Sequence, residues 1–191
     1  MTARVLVIGL DAVEATVLEK LVAEGRAPSL ARLAGSGRCA PLRAPCMDSL
    51  PGAIWQDIGT GRPAHLHGDF YPLRIHSGES VIRWIDATMH ADDYYWTAAA
   101  RAGYRVAAID QPLVPALPTV PEVTLVAEWH VHDQLWGRGS NPPGLFADLE
   151  AVHGSPAIDR CDAAHQGTLE AYEAWTGELL HRLGTKIAMV E

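Results

Sequence analysis

Cysteine is scarce in this chain, and its placement excludes more than its number. Cys39, Cys46 and Cys161 form no metal-binding spacing, and a bridge between any two leaves the third unpaired. A disulfide framework is therefore excluded, and a reduced, cytoplasmic protein is the expectation. Positive charge is also short: 15 Lys and Arg stand against 23 Asp and Glu, giving a net charge of −8. The basic residues are scattered, which removes the footprint of a nucleic-acid binder or of a protein held to an anionic membrane. No apolar run approaches the ~18 residues of a membrane span. The amino-terminal run from Val5 to Leu10 is too short for the core of a secretory signal. Internal repeats and low-complexity tracts are lacking as well.

What remains is a chain of 191 residues with 48% hydrophobic content, enough for one α/β domain with a real core. Val5 to Leu10 is short, β-branched and interrupted by Gly9, which predicts a buried strand of a parallel sheet. Asp11 follows that strand directly. Ligands of open α/β sheets sit outside the carboxyl ends of the strands, so Asp11 is a site candidate from position alone. Val13, Val17, Leu18, Leu21 and Val22 recur at helical spacing up to Gly25. A second short helix is predicted from Pro28, burying Leu30 and Leu33 and ending at Gly35 to Gly37, with a short strand over Arg38 to Leu42. Ser49-Leu50-Pro51 reads as a helix entry, with Ser49 at the N-cap and Pro51 in the first turn. That helix runs through Ile54, Trp55 and Ile58 to Gly59.

Two strands, Tyr71 to Ile75 and Ser80 to Ile85, are predicted to form a hairpin excursion within residues 69–90. A helix over Asp92 to Ala102 precedes a buried strand, Arg105 to Ile109, that ends in Asp110. Another strand, Val123 to Trp129, leads to His130, His132 and Asp133. Gly137 to Pro143 reads as a loop, and a helix follows around Leu145 to Val152. Asp162 to Leu183 is the longest helical pattern, carrying Leu169, Tyr172, Trp175, Leu179, Leu180 and Leu183, and Thr185 begins a further helical segment. Alternating strands and helices predict a doubly wound, mostly parallel sheet with helices on both faces.

The strand ending in Asp11-Ala12 is followed in order by Gly25-Arg-Ala-Pro28-Ser-Leu-Ala-Arg-Leu33, Ser49-Leu-Pro51, Thr60-Gly61 and His67-Gly68. This series resembles the type I phosphodiesterase/nucleotide pyrophosphatase branch of the alkaline phosphatase superfamily, over roughly the first third of the chain. The resemblance implies an alkaline-phosphatase-like fold and hydrolysis of a small-molecule phosphodiester or phosphomonoester. It implies two divalent metal ions, usually zinc, bound by Asp and His side chains, with Asp11 as a ligand and Ser49 as the metal-bound nucleophile. In that family most remaining ligands come from regions beyond the long helix. The chain is therefore expected to be truncated at its carboxyl end, to lack the second metal site and to be nearly inactive alone. A truncated sheet is expected to expose apolar surface, along the long helix and onward to Ile187 and Val190, and so to self-associate.

Each candidate also has a plainer reading. Asp11 suits the cap of the following helix. Ser49 departs from the family spacing, because counting back from Thr60-Gly61, or from Trp55, lands on Pro51, which has no nucleophilic group. Either two residues are inserted after Ser49 or the nucleophile is lost. The acidic balance of the chain does not help to capture a phosphate, so local metal charge must overcome the protein's own field. Thr60, Gly61, His67 and Gly68 read as structural, with glycines at tight turns and a histidine that fixes a loop by hydrogen bonds. His65 reads as solvent-facing. His130, His132 and Asp133 form the other metal-like cluster, or ordinary polar residues at a strand end. Cys46 reads as a small buried apolar residue or, in principle, a thiol nucleophile. The competing function is a non-catalytic domain that binds a ligand or a partner.

Overall fold

The computed structural model describes residues 4–11, 13–41, 51–70, 73–75, 82–84, 94–114, 117–129, 138–155 and 167–190. They fall into two units, Met1–Arg43 and Ala44–Glu191. In the first unit, helical periodicity prevails. Helix α1 (Ala15–Ala23) is capped by Glu14, whose side chain accepts from the Thr16 amide at 3.4 Å. Helix α2 (Pro28–Ser36) starts on a proline whose missing N–H is no loss at that position. Leu30 is half-buried as expected of a contact face, whereas Leu33 is exposed rather than buried.

The predicted first strand does not form. Val5 to Leu10 carries no regular structure, and its large apolar side chains are 57 to 85% exposed. Residues 38–41 are likewise irregular. A strand is defined by its ladder, and the described elements of this unit are helices, which offer no edge to pair with.

The second unit is mixed α/β. Helix α3 (Pro51–Thr60) and the single-turn α4 (Ala64–His67) lead into β1 (Asp69–Phe70), β2 (Leu73–Ile75) and β3 (Ile82–Trp84). These strands pair antiparallel in chain order, with Phe70 opposite Leu73 and Arg74 opposite Arg83, so the hairpin is present and gains a third strand. Helix α5 (Tyr95–Arg101) then precedes β4 (Val106–Gln111) and β5 (Val123–Ala127). The last two strands pair in parallel, Val106 opposite Val123 and Ile109 opposite Val126. Helix α5 packs its Trp96 and Ala100 on this pair, with Tyr94, Ala108, Val114, Val123, Leu125 and Ala127 completing a buried cluster. Tyr94 and Trp96 stack with ring centroids 4.3 Å apart.

The expected loop from Gly137 to Pro143 contains β6 (Gly139–Asn141), antiparallel to β5. Its Gly-Ser-Asn sequence has little strand propensity. Tertiary bonds hold it instead: the Asn141 amide donates to the carbonyls of Val120 at 3.0 Å and Val123 at 2.5 Å. Ser140 accepts from the Phe146 amide at 2.9 Å and so ties β6 to helix α6 (Leu145–His153), while Phe146 meets the buried Trp129 ring at 4.8 Å. The final pattern is one helix, α7 (Leu169–Val190), running through Gly184 where a break was expected. Among the described residues the parallel part of the sheet is this one pair, so a doubly wound sheet is larger than what is seen.

Candidate functional site

Helix α3 is fixed to the rest of its unit by polar side chains on consecutive positions. Ala53, Gln56 and Gly59 share its buried face. Gln56 uses both ends of its amide, donating to the Leu113 carbonyl at 2.6 Å and accepting from the Tyr94 hydroxyl at 2.8 Å. A Cβ at Gly59 would lie 2.7 Å from the Tyr94 ring, so the ring rests directly on the helix backbone. Asp57, on the next position, meets Nε2 of the buried His67 at 2.6 Å. The other ring nitrogen, Nδ1, accepts from the Asp69 amide at 3.0 Å. That bond leaves the proton on Nε2, which donates to Asp57.

The turn between α3 and α4 follows the same logic. Thr60 donates its hydroxyl back to the Gln56 carbonyl at 2.8 Å and accepts from the Arg62 amide at 3.3 Å. Gly61 and Gly68 adopt φ of +66° and +81°, left-handed values suited to glycine. The Thr-Gly and His-Gly pairs are thus structural, as their residue types suggested. His65 is exposed, also as expected. His67 has no surface from which to reach a substrate and both of its nitrogens are engaged, so it acts as a brace. The outer side of this turn is an open depression lined by Asp57, Ile58, Gly61, Arg62 and Pro63.

A second concentration of acidic groups lies at the carboxyl ends of the parallel strands. Asp110 sits at the irregularity between Ile109 and Gln111, with φ +54°, and its largely buried carboxylate pairs with Lys186 of α7. Glu128, just past β5, has φ +55° and is fully buried, and its amide donates to the Gln111 carbonyl at 3.1 Å. Left-handed backbone at two acidic residues is unusual and costs about 1 to 3 kcal/mol at each. The sequence reading placed Asp110 at the end of its strand but ran the next strand on through Trp129, with Glu128 inside it, and nothing in residue type announced the backbone conformation. Gln56 was missed altogether, because a glutamine in a helix reads as solvent-facing.

No family model, curated protein or solved structure matches this chain.

Asp11 is exposed, at a turn of the first unit. Ser49 lies outside the described residues, as do Cys46, His130, His132 and Asp133. The expected meeting of Asp11 with Ser49 thus falls outside what the structure describes. Among the described residues no three His, Cys, Asp or Glu side chains converge as a metal centre requires. Asp57 and Asp69 illustrate why, since one contacts Nε2 of the intervening imidazole and the other lies 3.7 Å from Nδ1. Among the described helices, none is long and apolar enough to cross a membrane. Tyr95, among the described residues, has its phenol pushed above the ordinary value of 10.0 by partial burial.

Proposed function

We propose that this chain belongs to a doubly wound, alkaline-phosphatase-like fold whose activity is hydrolysis of a phosphodiester or phosphomonoester bond, with Ser49 as nucleophile. The observation that carries the reading is the start of α3 at Pro51, two residues after Ser49, on a helix held in place through Gln56 and Asp57. The amides at such a helix start favour an anion, and a phosphoryl group is the anion that a neighbouring hydroxyl can attack. In the first step Ser49 Oγ bonds to phosphorus, the ester oxygen leaves, and the seryl proton ends on the released alcohol. Water then cleaves the phosphoserine, returning its proton to Ser49 and leaving the second product as a phosphate or phosphomonoester.

Two divalent ions, zinc by the resemblance, would lower the barrier to both steps, with Asp11 and Ser49 among their donors. Among the described residues no three His, Cys, Asp or Glu side chains would hold such ions, and Ser49, His130, His132 and Asp133 lie outside those residues. A second reading is a non-catalytic domain that keeps the sheet and binds a ligand or partner. Acid quenching during incubation with an aryl phosphodiester and zinc, followed by peptide mass spectrometry, separates the two. In protein expressed from its whole reading frame, a phosphorylated peptide containing Ser49 is expected, and turnover should vanish in Ser49→Ala. Turnover that survives Ser49→Ala removes Ser49 from the mechanism, and no turnover with no phosphoserine leaves the binding domain.

A further inference from the structure

Helix α7 has more apolar surface than its unit covers. An isolated surface helix turns its apolar stripe to the core and its charges to water. Here the face toward the body of the unit carries Trp175, Leu179 and Met189 together with Glu178, Arg182 and Lys186: Arg182 is the buried residue of the helix and pairs with Glu178, and Lys186 reaches Asp110. A second, neighbouring face exposes Leu169, Tyr172, Leu180, Leu183, Ile187 and Val190. At 100° per residue these six fall within one stripe, centred about a third of a turn away from Arg182.

We propose that a second copy of this chain covers the stripe, its α7 lying antiparallel on the first. The stripe is nearly self-complementary. Leu183, Ile187 and Val190 on one side of Leu180 mirror Thr176, Tyr172 and Leu169 on the other, so a two-fold axis beside Leu180 sets each residue against an apolar or small partner. The exposed side chains present apolar surface on the order of 600 Å² per copy, close to the ~800 Å² per partner of a standard specific interface. Gly177 and Gly184 stand on one shoulder, where an added Cβ would meet nothing within 4 Å, so the helices can approach closely there. Parallel pairing would set Glu170 and Glu173 against their own copies. Antiparallel pairing separates them by the length of the helix and opposes the two helix dipoles favourably.

Sedimentation equilibrium of the chain from micromolar to hundreds of micromolar tests the proposal, and a monomer–dimer equilibrium is expected. Leu180→Glu places two carboxylates at the axis and should weaken dimerisation about 100-fold. Leu180 is already exposed, so circular dichroism of the monomer should be unchanged. A chain monomeric at every concentration overturns the proposal, as does a dimer indifferent to Leu180→Glu. Orientation is read in a background with Cys39, Cys46 and Cys161 changed to Ser. Leu169→Cys combined with Val190→Cys should oxidise to a linked dimer, whereas Leu169→Cys alone should not. Efficient linkage by Leu169→Cys alone overturns the antiparallel arrangement.

Discussion

Two stretches of nearly interchangeable composition meet opposite fates. Val123 to Ala127 is a strand whose Val123, Leu125, Val126 and Ala127 side chains are fully or almost fully buried, between a parallel neighbour and an antiparallel one. Val5 to Leu10 is at least as apolar and as β-branched, yet it stands in the open without a ladder. Composition cannot be the difference. β5 is flanked by β4 and β6 and covered by α5, whereas the amino-terminal run has only helices in its own unit. Strand propensity describes fitness for a pleated, half-buried surface, and the surface has to be supplied by something else.

The contrast can be broken most forcefully at the apolar side chains. Leu125→Ala should cost about 3 kcal/mol through lost burial and a cavity, while Leu6→Ala should change stability by no more than about 0.5 kcal/mol. Urea unfolding of the two variants measures both, and equal losses would mean that Val5 to Leu10 is buried in solution. A smaller effect sharpens the comparison for polar groups. His67→Ala strands the buried Asp69 amide and removes the partner of Asp57, so a loss of about 2 kcal/mol is expected in the same experiment. The smallest is a matter of pH. Because burial raises the Tyr95 phenol, its contribution to stability is complete below the unfolded value near 10 and is lost as pH rises through the folded value. Absorbance titration should show late-ionising tyrosine absorbance that Tyr95→Phe reduces, and a late component unchanged in Tyr95→Phe would count against the burial of this phenol.

Much of this architecture is legible in residue order. Pro28 and Ala15 to Ala23 announce the first helices, the two short apolar runs between residues 71 and 85 announce a hairpin, and Gly61 and Gly68 announce tight turns. The signals are local, and so were the structures they foretold. The features that escaped depend on distant partners. Gly139–Asn141 becomes a strand because Asn141 is stapled to Val120 and Val123. Gln56 is buried because Tyr94 and Leu113 supply partners for both ends of its amide. The orientation of α7 is set with the help of Lys186 and Arg182, so that of its apolar pattern Trp175 and Leu179 turn inward while Leu169, Tyr172 and Leu183 stay exposed. At the candidate site, residue order located Asp110 at a strand end but carried the next strand through Glu128 to Trp129, and it could not foresee left-handed backbone at either acidic residue.

The close seat of Tyr94 on α3 has an evolutionary corollary. Replacing a glycine inside a helix by alanine is ordinarily a stabilising exchange worth up to about 1 kcal/mol. At Gly59 the new methyl would wedge against an aromatic ring that is itself stacked on Trp96 and tethered through its hydroxyl to Gln56. The ring has no free direction in which to yield. Positions 59 and 94 should therefore drift together, a larger residue at the first being tolerated only where the second has lost its ring.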